Sequence, residues 1–218
     1  MTPQPGRGRI DKRNDILDAA FSVFAREGYP QARVDQIAAE AGVAKATVYN
    51  HFGDKEKLLR ATIAALSERA LARNLAAVAL LAKAGDDLPA TLTAVGVQLV
   101  DCYCDPQSWA LRRLLYAETP QFPDLLELTQ VGVAEPVTQA LADRLARLAL
   151  EGRIAISDPA LAAEHFTALL TGPLEARSRF GTRNVPRRER KAITESAVAT
   201  FLSAFAPRQA LARPIKEP

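Results

Sequence analysis

The stretch Val34–Lys57, VDQIAAEAGVAKATVYNHFGDKEK, restricts the fold more than any other part of the chain. Val34, Ile37, Ala38 and Ala41 recur at helical spacing, so the first part is a short helix with one apolar stripe. Gly42 follows directly, and a residue without a Cβ permits the tight turn that lays a second helix across the first. That second helix is predicted at about Ala44–Asn50, with Val43, Val48 and Phe52 as its anchors. Asp54 then caps a further helix with lysines in its first turn. A short helix crossed over another through a glycine turn keeps one face buried and offers the other outward. This is the geometry of a helix-turn-helix, whose second helix fits a DNA major groove.

The remaining chain reads as all-α. Ile16, Leu17, Ala20, Phe21 and Phe24 define a first helix ending near Glu27, where Gly28 and Pro30 stop it. The helix begun at Asp54 carries Leu58, Leu59, Thr62, Ile63 and Leu66 on one face and runs towards Leu81, before Gly85-Asp86-Asp87 breaks it. Beyond that, prolines mark helix starts, where a missing N–H costs nothing. The Ala/Leu-rich segments between them are 89–104, 106–118, 124–150, 159–180 and 186–206. Pro136 and the Gly172-Pro173 pair should kink the helices that contain them. The expectation is about nine helices and no strand. They are arranged as a basic arm (1–9), a three-helix DNA-binding domain (10–55), a helical bundle joined through helix four (56–206) and a frayed tail (207–218).

Composition narrows the function. The net charge is +3 over 218 residues, too small for the whole surface to bind a polyanion, so any nucleic-acid surface must be local. Two cysteines, Cys102 and Cys104, suit a reducing cytoplasm, and at i and i+2 on a helix they face apart. They read as small buried hydrophobes rather than a redox pair. No apolar run approaches the roughly 20 residues of a membrane span. The N-terminus lacks the apolar core of an export signal, so a cytoplasmic protein is expected.

The residues now assembled resemble the reader of the TetR family of bacterial transcriptional regulators. The resemblance rests on Val34, Ile37-Ala38, Ala41-Gly42-Val43, Lys45, Thr47, Tyr49, His51-Phe52, Lys55-Glu56 and Leu58, all in register over about residues 10–60. Further on, LRRLLYAETPQFP (111–123) is similar to the AefR-type branch of that family. Two departures stand out. The family often has hydroxyl residues just before helix two and at the start of helix three, where this chain has Ala32, Arg33 and Ala44. Losing such a cap costs about 1 kcal/mol, and Arg33 substitutes a charged phosphate contact for a neutral one. Ala46 stands where many relatives have glycine.

The resemblance implies roles residue by residue. Lys45 reaches guanine acceptors or a phosphate, and Ala46 and Thr47 face the bases, the Ala46 methyl being able to meet a thymine methyl. Asn50 pairs with adenine or contacts a phosphate. Tyr49 and His51 bind phosphates and set the depth of the helix. Lys55 adds charge at a helix N-terminus that already favours an anion. Arg7, Arg9, Lys12 and Arg13 form an arm for phosphates or the minor groove, although lone basic residues are as often simply solvated.

A single short helix contacts too few bases to be selective, so a homodimer on a DNA operator is expected, with readers roughly 34–36 Å apart. The resemblance implies that the seam lies on the last two long helices, whose apolar faces of Leu161, His165, Phe166, Leu169, Leu170, Ile193, Ala197, Phe201, Leu202 and Phe205 suit a four-helix contact. A pocket for a small hydrophobic effector is sought among Leu99, Cys102, Tyr103, Trp109, Tyr116, Phe122 and Leu125, though aromatics and leucines at this spacing serve equally as core. Its filling would move helix four and alter the spacing of the readers. No cofactor and no metal site is expected, and no membrane partner. An enzyme is disfavoured because there is no glycine-rich phosphate loop and no His/Cys/Asp set at ligand spacing. A DNA-binding dimer without any effector stays open.

Overall fold

A computed structural model of the protein describes the backbone of residues 7–83 and 85–207, and side chains from Lys12 onward. Among the described residues there are nine helices and no strand. They are α1 (Arg7–Glu27), α2 (Val34–Glu40), α3 (Lys45–Phe52), α4 (Lys55–Ala79, tightening into a 3₁₀ turn at Leu80–Lys83), α5 (Leu88–Cys104) and α6 (Pro106–Glu118). Then come α7 (125–150), α8 (Pro159–Ser178) and α9 (Arg187–Ala204). Residues 1–6 of the expected arm and 208–218 of the expected tail lie outside the described residues. Residues 7–9, assigned above to the arm, are the first turn of α1.

Asp54 caps α4 as the sequence suggests, and aspartates also start α5, α6 and α8. Asp54 accepts the Lys57 N–H at 2.7 Å, Asp87 that of Ala90 at 2.9 Å, Asp105 that of Ser108 at 3.1 Å and Asp158 that of Leu161 at 3.0 Å. Each occupies one amide that a helix start leaves without an intrahelical partner. The kink expected at Pro136 takes another form. Leu125–Thr129 is α-helical, Gln130–Ala134 widens into a π-helical turn, and Glu135–Leu150 resumes the α-helix with Pro136 in its first turn. Pro136 cannot donate to the carbonyl four residues earlier and its ring crowds that group, so the ladder widens just ahead of it. Pro173 lies inside α8, which continues past it to Ser178.

The chain packs as two units. The first comprises the residues up to Arg69 and Ala110–Val133; the second comprises Ala70–Trp109 and the residues from Ala134. The sequence division at residue 55 follows chain order, whereas packing assigns part of α6 and the start of α7 to the first unit. Its core joins Ile16, Leu17, Ala20, Val23 and Phe24 of α1 to Ile37, Val48, Phe52, Leu58, Leu59 and Ile63, and then to Leu114, Leu115, Phe122 and Leu125. The second core joins Val78, Leu92, Val95, Leu99, Leu141, Leu145, Phe166, Leu170, Leu174, Ile193, Val198 and Phe201. In that unit a Cβ on Gly96 would lie 2.7 Å from Thr194 Cγ2 and 3.1 Å from Leu170 Cδ2, so the lack of a side chain there lets α5 close on α8 and α9.

Candidate nucleic-acid interface

The turn between α2 and α3 is fixed by the backbone. Gly42 has φ +66°, its N–H bonds the Ala39 carbonyl at 3.2 Å, and the Val43 N–H bonds the Ala38 carbonyl at 3.0 Å. These two bonds satisfy carbonyls at the end of α2 and require a left-handed residue, which glycine supplies without steric cost. Gly53 repeats the device after α3, with φ +82° and its N–H on the Tyr49 carbonyl at 2.7 Å. Val48 and Phe52 anchor α3 in the core at 2% and 8% exposure.

That anchoring decides which face is free. Ala46, Tyr49 and Asn50, at i, i+3 and i+4, share one exposed face, with Lys45 beside them; Thr47 and His51 flank it half-buried. Ala44 caps α3 with no side-chain bond, and Arg33 occupies the same position at α2, also without one. The missing hydroxyl caps are therefore real, while Ala32 lies in the core rather than at a helix end.

Charge on this face is restrained by neighbours that sequence reading passes over. Lys45 Nζ sits 2.8 Å from Asp35 Oδ1, and Arg33, its side chain 77% exposed, lies 3.7 Å from the same carboxylate. The bond from Lys45 holds the Asp35 carboxyl below its ordinary range, and Asp35 in turn raises the Lys45 ammonium. Asp35 thus orients Lys45 across the α2–α3 turn. Asp35 falls in the first turn of α2 and looks, in sequence, like a routine acid at a helix start.

Lys55 departs from its expected role. Its Nζ donates to the carbonyls of Tyr29 (2.8 Å), Ala32 (3.1 Å) and Pro30 (3.3 Å) and lies 4.4 Å from the Tyr29 ring centroid. An ammonium has three donors, so these carbonyls take them all. Lys55 is a pin on the α1–α2 loop, and the anion site expected at the α4 N-terminus is filled from within. The same loop is held from the other side: Glu118, 5% exposed, accepts the Tyr29 N–H at 2.9 Å, and the Phe122 ring meets Tyr29 edge-on at 5.0 Å. Arg60 pairs with Asp124 and lies over Phe122. An acid in an otherwise apolar and basic run is the one sequence signal that marks Glu118. On α1, Arg13 lies over the Phe52 ring at 5.5 Å, and Lys12 and Arg13 are exposed.

The expected effector residues separate. Leu99, Cys102, Tyr103 and Trp109 belong to the second unit, where the Tyr103 and Trp109 rings meet edge-on at 5.2 Å. Phe122 and Leu125 are core of the first unit, and Tyr116 is 53% exposed. Burial raises the Cys102 thiol above its ordinary range, consistent with an unreactive packing residue.

The expected seam also divides. Phe166, Leu170, Ile193, Ala197 and Phe201 are buried in the core of the second unit, and Leu169, Leu202 and Phe205 pack partly against the same core. The apolar periods of α8 and α9 are spent on the second unit itself. Of the ten residues named, Leu161 and His165 are the exposed ones.

Among the described residues no group of His, Cys, Asp or Glu could hold a metal ion, and no helix is long and apolar enough to cross a membrane.

Comparison with known proteins agrees with this geometry. Residues 16–62 match the family described as bacterial regulatory proteins, tetR family, and residues 90–207, more than half of the chain, match the AefR-like transcriptional repressor C-terminal domain. The uncharacterized HTH-type transcriptional regulator TtgW of Pseudomonas putida is 46% identical over 54 residues, 25% of this chain and 40% of that protein. The fatty acid metabolism regulator protein of Bacillus subtilis is 48% identical over 48 residues, 22% of this chain and 25% of that protein. The matched stretches thus span less than half of either relative. Over the whole fold, the crystal structure of a protein assigned to the TetR family from Mesorhizobium loti superposes with TM-score 0.84 at 26% identity, covering 90% of this chain and 98% of that one. The flavonoid-responsive regulator FrrA gives TM-score 0.70 at 27% identity, covering 90% and 98%. The relatives and neighbours are transcriptional regulators rather than enzymes, and the chain belongs to the TetR family of DNA-binding bacterial transcriptional regulators, with an AefR-like C-terminal half.

Proposed function

We propose that the protein is a repressor that binds a palindromic operator as a homodimer and is released by a small hydrophobic effector. The observation that carries the DNA part is α3, which holds Val48 and Phe52 in the core and presents Lys45, Ala46, Tyr49 and Asn50 to solvent. Lys45, Ala46, Thr47 and Asn50 are the base-reading set, and Tyr49 and His51 the phosphate pair. Arg33 adds a phosphate contact, whereas Lys55 holds the loop beneath it.

Dimerisation is supported by the faces that α8 and α9 leave outward. Leu161, His165, Ala168, Gly172 and Ala176 are exposed and follow one another by four or three residues along α8; Ala192, Ser196, Ala199 and Ser203 do so along α9. Small side chains at this period let helices approach closely and suit a four-helix contact between two copies. Sedimentation of the wild type should give a dimer at micromolar concentration, and Ala168→Arg with Ser196→Arg a monomer with lost operator binding. A stable wild-type monomer would contradict the proposal.

We propose an effector site in the second unit against the Tyr103–Trp109 pair, with Leu99 and Cys102 of the same unit. The names of two similar proteins, one flavonoid-responsive and one a fatty acid metabolism regulator, support a hydrophobic compound. Trp109 is the chain's single tryptophan and is 5% exposed, so its fluorescence reports on this site alone. Titration with a panel of flavonoids and fatty acids should quench or shift it while weakening operator binding. Compounds that change the fluorescence without changing DNA affinity would separate binding from control and refute release as the mechanism.

The DNA reading is tested by selecting bound fragments and then comparing Tyr49→Phe with Lys45→Ala. The first should weaken all sequences about equally, and the second should relax preference at one position.

A further inference from the structure

The strongest concentration of charge lies outside the reader. Residues 177–191, RSRFGTRNVPRRERK, hold seven cations and one acid, a net +6 against +3 for the whole chain, so the remaining residues are net −3. Over Arg33–Lys57 four cations meet four acids. Arg177, Arg179, Arg183, Arg187, Arg188 and Lys191 are exposed. Glu189 is shared by Arg183 (3.0 Å) and Arg177 (3.4 Å), and Arg190 is engaged by Asp101 at 2.8 Å. Among the described residues, Arg179, Arg187 and Arg188 pair with no carboxylate. Arg187 and Arg188 also stand in the first turn of α9, where the helix dipole disfavours cations, so helix stability does not account for them.

The segment is held in one shape. Arg179, Phe180 and Gly181 take φ values of 51°, 54° and 78°; the Ser178 hydroxyl accepts the Gly181 N–H at 3.1 Å, and Arg183 donates to the Arg177 carbonyl at 2.7 Å. Phe180, 56% exposed, lies among these arginines.

We propose that residues 177–191 form a second, sequence-independent surface for the phosphate backbone of duplex DNA, resting on the reading of the protein as a DNA-binding regulator. Six of the seven cations are arginine, whose planar fork binds phosphate oxygens in pairs. Duplex DNA is the polyanion such a regulator already engages, and its closely spaced phosphates match a run of arginines. An anionic membrane fits less well: Phe180 is the large apolar side chain this segment exposes, Val185 is buried, and membrane docking needs an apolar face.

The test uses the full-length protein and a triple variant, Arg179→Ala with Arg187→Ala and Arg188→Ala. Affinity is measured by fluorescence anisotropy on a random-sequence duplex of about 30 base pairs and on the selected operator, over about 50–200 mM salt. Both DNAs should weaken by the same factor, with an unchanged thermal melt. The plot of log affinity against log salt should become shallower by roughly 0.9 per lost contact, up to about 2.7 per protomer. The matching triple lysine variant should retain most of the wild-type slope. Unchanged affinity and slope in the alanine variant, while the wild type binds and Tyr49→Phe still weakens it, overturns this proposal and leaves the reader intact. A wild type that binds neither duplex overturns the underlying reading as well. Phosphatidylglycerol vesicles that sediment the wild type but not the alanine variant, with no change in DNA slope, would reassign the patch to lipid.

Discussion

Replacing Lys55 by methionine keeps the stem and removes three donors from the carbonyls of Tyr29, Pro30 and Ala32. Hydrogen bonds to a charged group contribute about 1.5–3 kcal/mol each when shielded, and the two part-buried ones here, at 2.8 and 3.1 Å, dominate the third at 3.3 Å. The Tyr29 ring adds about 0.5–1 kcal/mol. Against this, freeing a long side chain returns about 1.5–2 kcal/mol of rotamer entropy. The net loss is about 1.5–5.5 kcal/mol, a fall of roughly 3–22 °C in Tm for a chain of this size. Thermal unfolding by circular dichroism, paired with operator affinity across a salt series, separates a pin from a phosphate contact. A pin gives a lower Tm and an unchanged salt slope. An unchanged Tm with a slope shallower by about 0.9 would show that Lys55 holds a phosphate and refute the reasoning.

Other consequences are equally direct. Glu118→Ala leaves the Tyr29 N–H without its acceptor and should destabilise by about 1–3 kcal/mol in denaturant unfolding, whereas Glu118→Gln, which keeps an acceptor oxygen, should recover most of that loss. Gly96→Ala gains helix propensity but forces a methyl against Thr194 and Leu170; overpacking of about 1–3 kcal/mol should exceed the gain, and an unchanged or raised midpoint would disprove that close approach. Asp35→Asn releases Lys45 and removes an anion from the DNA face, so affinity for random duplex should rise. The carboxyls of Asp35 and Asp54 are both held below the ordinary range, Asp35 chiefly by Lys45 and Asp54 chiefly by the Lys57 amide. What they contribute is complete above the ordinary carboxylate pKa and is lost as pH falls through their own lower values. Removing both as Asn should therefore change unfolding at pH 6, and progressively less as the pH falls through those lower values.

The reader is legible in the sequence because its constraints are local. Gly42 and Gly53 must sit where φ is positive, and Val48 and Phe52 must face inward, so the outward face of α3 follows by subtraction. Lys55 is harder to read for the opposite reason. A lysine at a helix start marks an anion site by sequence alone, and only the tertiary return of the Tyr29–Ala32 loop supplies the carbonyls that occupy it. Tyr29 and Glu118 stand 89 residues apart, and nothing in their spacing predicts that they meet. Periodicity finds the apolar faces of α8 and α9, but a period gives the direction of a face and not its partner. Phe166 and Phe201 pack on each other, rings 5.0 Å apart, within the chain's own core. The small exposed residues opposite them carry no hydropathy signal, so a reading of periodicity passes over them.

The claim on which the rest depends is that two copies of α3 read one DNA site. Selection of bound fragments from a random duplex library tests it most directly. The account predicts an enriched inverted repeat with half-sites about one helical turn apart, or slightly more. Enrichment of a single unrepeated element, or of none, would contradict it.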